Sequence, residues 1–225
     1  MHILHVIPTG GVGGVETAAK KAAATNKNVT LIILAKDAKP GARGKILGTL
    51  LTMFRFSIFS RLRVTQSDVA VFSLWKTVPL LIYWKVRYRK PALFFLHSSK
   101  DKHLFDFVFT RIAVRVADGI LADSRSTLEK RVAKSIARTK WVRVVSMLVG
   151  DVTKHPHGRR SPYRFIYWGR FNENKNVETA LKLFAEIRRL LPDSHFLLIG
   201  PDDGTLRRCK DLVRTLDLAS AVTCR

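Results

Sequence analysis

The chain has 225 residues, 47% of them hydrophobic, and its 40 Lys and Arg outnumber 17 Asp and Glu for a net charge of +23. Such a composition can bury a core, which excludes a disordered polymer. Two cysteines, Cys209 and Cys224, are too few for a zinc cluster or a disulfide framework and fit a reducing cytoplasm.

The chain opens on an apolar run, Ile3 to Ile7, with no basic leader and cleavage site before it, so no signal peptide is expected. Further apolar runs follow at Val29 to Ala35, Val69 to Leu74, Ala92 to Leu96, Gly119 to Ala122 and Val142 to Val149. They are continuous rather than alternating, as strands covered on both faces are. Between them Glu16–Ala24, Lys45–Arg61, Thr77–Arg89, Leu104–Ala117 and Ser126–Ala137 are long enough to be crossover helices. The alternation predicts an α/β, doubly wound parallel sheet over residues 1–150. The most apolar stretches, Leu47 to Phe59 and Val69 to Trp84, are interrupted by Arg55 and by Lys76 and Pro79. Both fall short of the roughly 20 residues a spanning helix needs, so no transmembrane helix is predicted.

Gly150 to Pro162 reads GDVTKHPHGRRSP, with two prolines, two glycines and no apolar period. That composition predicts a linker over 151–162. The alternation then restarts over 163–225. Arg164–Trp168 and His195–Ile199 read as strands, and Ala221-Val222-Thr223 begins another. Val177–Leu191 and Thr205–Leu216 read as helices, the first with apolar Val177, Ala180, Leu181, Phe184, Ile187, Leu190 and Leu191 at helical spacing. About 60 residues so arranged leave a sheet edge unpaired and a core face uncovered, so the second domain is expected to be incomplete here.

Two stretches can carry chemistry. The first strand runs into Gly10, Gly11, Gly13 and Gly14 ahead of Glu16. Glycines at a strand-to-helix junction let backbone N–H groups approach a phosphate or another polar ligand. The dinucleotide pattern is not met, because its third glycine falls at Thr17 or Ala18. A plain tight turn is the competing reading. The second stretch is Gly169-Arg170-Phe171-Asn172-Glu173-Asn174-Lys175-Asn176. Two cations entering a helix N-terminus oppose its dipole unless an anion lies between them, and Arg and Lys together suit a diphosphate. Two solvated surface charges are the alternative.

The stretch from Phe165 to Cys224 resembles the start of the C-terminal domain of family 4 glycosyltransferases. The shared features are a strand, Gly-Arg, Lys-Asn before a Leu/Ala/Phe helix, Pro, a strand ending in Gly, and another helix. The Gly-Gly loop with Glu16, the Asp118 to Ser124 stretch and the strand into Leu148-Val149-Gly150-Asp151 are similar to the family as well, with the family's Asn replaced there. The resemblance implies a GT-B-like fold of two Rossmann-like domains, the second truncated, in a retaining transferase that needs no metal or other cofactor. It implies that Arg170 and Lys175, with Gly169, hold the diphosphate of a nucleotide-sugar donor. It also implies that Gly10, Gly11, Gly13 and Gly14 approach donor or acceptor, and that His97 contacts the transferred sugar. The family's Glu-x7-Glu segment is missing, since no Glu follows Glu186.

Residues 1–161 hold 29 basic and 9 acidic side chains, whereas 162–225 hold 11 and 8. Arg55, Arg61, Arg63, Lys85, Arg87, Arg89 and Lys90 accompany Phe54, Phe56, Phe59, Tyr83, Trp84 and Tyr88, a mixture suited to an anionic membrane surface. The expectation is an enzyme at the cytoplasmic face of the membrane, building a surface polysaccharide or glycolipid on a saccharide or lipid-linked acceptor. A catalytically inactive fragment or partner subunit is the first alternative. A basic nucleic-acid-binding α/β protein is the second, and nucleic acid is not the expected partner because no recognition motif is present.

Overall fold

The computed structural model of the chain describes residues 1–11, 13–35, 66–101, 103–145 and 163–225. The chain forms two compact units, Met1–Val152 and Thr153–Arg225.

In the first unit, strands β1 (Ile3–Thr9), β2 (Val29–Ala35), β3 (Val69–Ser73), β4 (Ala92–Leu96), β5 (Gly119–Ala122) and β6 (Trp141–Val144) form one sheet in the order β2-β1-β3-β4-β5-β6. Every pairing is parallel. Parallel neighbours need crossovers, and helices α1 (Gly14–Thr25), α2 (Val78–Tyr88), α3 (Leu104–Val116), α4 (Arg125–Arg131) and α5 (Lys134–Thr139) serve these connections. The order runs outward in both directions from β1 and β3. Right-handed crossovers therefore put α1 on one face and α2 to α5 on the other. The larger core lies on the second face: Leu4, Val6, Ala70, Phe72, Ala92, Phe94 and Leu96 point into it from the strands, and Leu81, Trp84, Ala113 and Val114 from α2 and α3. Trp84 is fully buried, so this aromatic belongs to the core rather than to a membrane-facing surface.

The second unit is smaller. Strands β7 (Arg164–Trp168), β8 (His195–Ile199) and β9 (Val222–Cys224) pair in parallel in sequence order. Helices α6 (Val177–Leu190) and α7 (Leu206–Thr215) pack on a core of Phe171, Val177, Leu181, Phe184, Phe196, Leu198, Cys209 and Val213. Cys209 and Cys224 are free thiols.

Four sequence expectations are corrected. The single helix over Ser126–Ala137 is two, because the chain is extended at Val132 and Ala133 while Val132 packs into the core. The strand from Val142 begins at Trp141 and is assigned to Val144; residues 146–149 lie outside the described residues. Leu190 and Leu191 leave the buried stripe of α6 and are exposed. A 14-residue helix is about 21 Å long and a five-residue strand about 17 Å, so the last turn of α6 overhangs the sheet. The expected strand end at Leu74 is a turn, since Leu74 has φ 68°. The helix expected over Lys45–Arg61 and the whole 151–162 linker, with Arg55, Arg61, Arg63 and the phenylalanines beside them, also lie outside the described residues.

The exits of β7 and β8 are locked together by one close backbone approach. Gly200 has φ 151°, and a Cβ there would stand 2.0 Å from the Gly169 carbonyl oxygen. Gly204, at φ 104°, faces open space. Gly200→Ala is expected to lower stability by at least about 2 kcal/mol, from backbone strain and overlap together. Gly204→Ala carries the strain alone and should cost about 1 kcal/mol. Denaturant unfolding of both variants checks this, and equal losses would remove the steric account.

Candidate functional site

Two groups of polar residues gather at the C-terminal ends of the strands, one in each unit. In the first unit the strand order reverses between β1 and β3, the place where open α/β sheets bind ligands. Period-two alternation puts His5 on β1, Ser73 on β3 and His97, just past β4, on the face opposite the large core. The register steps them diagonally: His5 is level with Val71, and Ser73 with Phe95. Ser73 is fully buried. Its Oγ lies 2.9 Å from His5 Nε2 and 3.0 Å from His97 Nε2. Burial lowers both imidazoles to about 4, with the Asp123 carboxylate opposing the shift at His97. His97 Nδ1 and Asp123 Oδ1 are buried without a hydrogen-bond partner. Most buried polar atoms are paired, so these two are candidates for ligand contact.

The loop bearing His97 is held from behind. Arg131, almost fully buried, reaches Asp101 at 2.7 Å and Asp106 at 3.3 Å. It also donates to Thr110 Oγ1 at 2.9 Å. A buried Arg with two carboxylate partners anchors the loop between His97 and α3.

The glycine loop is shaped by Glu16 in the first turn of α1. Thr9 Oγ1 donates to Glu16 Oε1 at 3.0 Å, and a Cβ at Gly13 would stand 2.3 Å from Glu16 Oε2. A side chain at Gly13 would meet the mobile end of Glu16, which can shift aside. Side chains at Gly11 and Gly14 would meet nothing within 4 Å, so that backbone faces open space. Gly10 donates to the Ala35 carbonyl at 3.1 Å. The helix N-terminus already holds an anion, and a phosphate there would meet a like charge. The loop is suited to neutral hydroxyls.

In the second unit the chain leaves β7 at Gly169, and Phe171 locks the turn. Phe171 is fully buried; its N–H donates to Pro201 O at 3.0 Å, and its carbonyl accepts from Asp203 N at 3.0 Å. Tyr167 Oη donates to the Arg170 carbonyl at 2.8 Å, passing where a Gly169 side chain would stand. Asn172 accepts from Lys175 N through Oδ1 at 3.2 Å, which shapes the 3₁₀ turn Glu173–Lys175 before α6. Asp202 accepts from Gly204 N and Leu206 N, and these backbone N–H groups, Leu206 foremost, hold its carboxyl below the usual range.

This fixes where the two cations go. Arg170, about half exposed, is paired with Asp203 at 3.2 Å, and Asn172 Nδ2 donates to the same Asp203 oxygen at 2.9 Å. Among the described residues the Lys175 ammonium has no hydrogen-bond or ion-pair partner. Glu173 and Glu178 are both engaged by Arg208, at 3.0 and 2.9 Å. A recess of about 190 Å³ lined by Asn172, Glu173, Asn176, Val177, Glu178, Thr205 and Arg208 adjoins the turn, without Arg170 or Lys175 in its wall. It is smaller than the ~300 Å³ at which ligand pockets begin, so the cations act on an open surface.

The sequence reading missed His5, Ser73, Asp123 and Asp203. A polar residue inside or ending an apolar run was the signal for the first two. Asp203 carried none, because its partner lies 33 positions away. Among the described residues no group of three or more His, Cys, Asp or Glu side chains is placed to hold a metal ion.

No protein-family profile matches the chain, and no curated protein does. Solved structures share its fold. HepE from Anabaena, in complex with UDP, is 14% identical with a TM-score of 0.70, over 100% of this chain and 68% of that one. Sucrose-phosphate synthase from Thermosynechococcus elongatus is 16% identical with a TM-score of 0.66, over 100% and 70%. UDP-N-acetylglucosamine 2-epimerase from Rickettsia bellii is 10% identical with a TM-score of 0.58, over 100% and 68%. The chain has a GT-B-like fold, built here from a six-stranded and a three-stranded Rossmann-like unit.

The two partly buried imidazoles, both desolvated, give a pH test. Their folded values near 4 lie below the unfolded 6.5, so the unfolded chain binds more protons between these limits. Their contribution to stability is complete above pH 6.5 and is lost as the pH falls towards 4. The urea midpoint should drop across that window, and His5→Phe should flatten the drop. An unchanged slope in His5→Phe would show that His5 is not buried neutral.

Proposed function

We propose that the chain is the acceptor-side domain and the start of the donor-side domain of a family 4, retaining glycosyltransferase. The observation that carries this reading is the pair Arg170 and Lys175 at the exit of β7, one held by a replaceable partner and one unpaired, in a fold shared with HepE bound to UDP. HepE is also solved with UDP-glucose, which supports a nucleotide-sugar donor. When the bond from sugar to diphosphate breaks, negative charge grows on the leaving oxygens. Fixed cations there bind the transition state more tightly than the ground state. Arg170 exchanges the Asp203 carboxylate for the diphosphate, an inexpensive exchange because an exposed ion pair is worth at most about 1 kcal/mol. Gly169 keeps the turn clear for Tyr167 to hold the Arg170 backbone.

The first unit handles the uncharged partner. Gly10, Gly11, Gly13 and Gly14, with Glu16 folded beneath them, meet hydroxyls of the sugar or acceptor, and His97 offers its unpartnered Nδ1 to the transferred sugar. No step in this scheme calls on a metal or another cofactor. The acceptor is a saccharide, lipid-linked in a surface polysaccharide or glycolipid pathway, and the protein works peripherally at the cytoplasmic face of the membrane. No helix among the described residues is long and apolar enough to cross a membrane. Helix α3 instead exposes Leu104, Phe105 and Phe107, with the Arg111 guanidinium over the Phe107 ring at 4.4 Å, a composition suited to an anionic surface.

A second reading is an epimerase, favoured by the likeness to the Rickettsia bellii enzyme. Inversion at sugar C2 without an acceptor would support it, and sugar transfer would exclude it.

Calorimetry with UDP, UDP-glucose and pyrophosphate tests the diphosphate site. Arg170→Ala and Lys175→Ala should each weaken UDP binding by roughly 10- to 100-fold, the worth of a charge-assisted hydrogen bond, and together by less than the product. Asp203→Asn should tighten it several-fold by removing a competing anion. A wild-type chain that binds none of the three ligands would overturn the donor-site reading. In a separate test, the chain should sediment with anionic but not neutral vesicles, and Phe105→Glu should reduce the sedimented fraction. Equal binding to both vesicle types would sink the membrane proposal.

A further inference from the structure

The buried hydroxyl of Ser73 stands between two imidazoles, 2.9 Å from His5 Nε2 and 3.0 Å from His97 Nε2. A serine hydroxyl has one proton and can donate to only one of the rings. The other ring must then carry its own proton at Nε2 and donate to Ser73. The hydroxyl could accept from both rings, but its own proton would then have no acceptor among the described residues, and a cationic ring is disfavoured where both are desolvated. The two rings are therefore neutral and of opposite tautomer, and Ser73 couples them.

The surroundings choose between the two arrangements. Asp123, following β5, and His5, on β1, are the charged or titratable groups acting on the His97 ring. Asp123 favours a proton on that ring, and its own Oδ1 is buried without a donor. Ser73 already occupies His97 Nε2, so Nδ1 is the nitrogen left to face other groups. With the proton on Nδ1, His97 accepts from Ser73 through Nε2, and His5 donates to Ser73 in turn. Each contact then has one donor and one acceptor.

We infer that Ser73, backed by His5, is a positioning residue that holds His97 as the neutral Nδ1–H tautomer, so that the ring offers a donor to an oxygen of the bound ligand. That the oxygen belongs to a sugar rests on the proposed function; the tautomer does not. A ligand oxygen at this place can accept from His97 Nδ1–H and so give that buried nitrogen a partner. A tautomer held in advance spares the ligand the cost of ordering it.

Long-range ¹H–¹⁵N correlation spectra of the whole chain, labelled at histidine, read the tautomers directly at pH 7. His5→Gln and His97→Gln spectra supply the assignments. The wild-type His97 should show a protonated Nδ1 and an unprotonated Nε2, and His5 the reverse. Ser73→Ala, with its amide spectrum still that of the folded chain, should lose this preference at His97 and give an averaged ring. A wild-type His97 protonated at Nε2, or cationic at pH 7, overturns the inference, and this outcome is read without any variant. So does a His97 signal unchanged by Ser73→Ala. Nucleotide binding does not enter the measurement, so a failure of the donor-site reading leaves this result standing.

Discussion

The pairing of β1 with β2 on one side and β3 on the other is the constraint on which the first unit depends. Both partners are parallel to β1, so the chain passes from β1 to β2 on one side and then to β3 on the other. That reversal opens a crevice at the strand ends, and the alternation of side chains sends every second residue to the face away from the large core. His5 sits in β1 itself, Ser73 ends β3, and His97 follows β4, so one ladder register brings together three residues from three separate segments. A slip of one residue in any of these strands would turn its polar side chain into an apolar core.

The second unit solves a different electrostatic problem with different means. Its polar groups are exposed charges on turns, held by backbone contacts around Phe171 rather than by burial. Water screens these charges, so Arg170 can pair with Asp203 and still give up that partner at small cost. The histidines of the first unit are desolvated, and there a neutral hydrogen bond is worth more than a charge. The proposed division between charged groups on one unit and neutral imidazoles on the other rests on this contrast in exposure. Several cations of the first unit hold its own backbone and loops: Lys20 donates to the Gly10 carbonyl, Arg131 serves as an internal anchor, and Lys85 and Lys140 serve the backbone and Asp118 around the base of β4 and β5.

The sequence by itself determined the class of fold and most element positions. Continuous apolar runs at strand length, separated by helix-length segments, have few other solutions, because a parallel sheet must be covered on both faces. It also placed Gly169, Arg170, Lys175 and His97 at strand ends, where local pattern alone indicates ligand chemistry. The tertiary structure decided what these residues do there. That Arg170 is paired depends on Asp203, brought across from the next turn by the Phe171 contacts. That the Glu16 carboxylate stands at the glycine loop depends on how its side chain folds back towards Thr9 and Gly13. That His97 has one nitrogen taken and one open depends on Ser73, 24 positions earlier, and on His5, 68 positions before that. Local periodicity reports which face of an element is buried, but a hydrogen bond between distant segments forms only once strand order and register bring them within 3 Å, and neither is written in any single stretch of the chain.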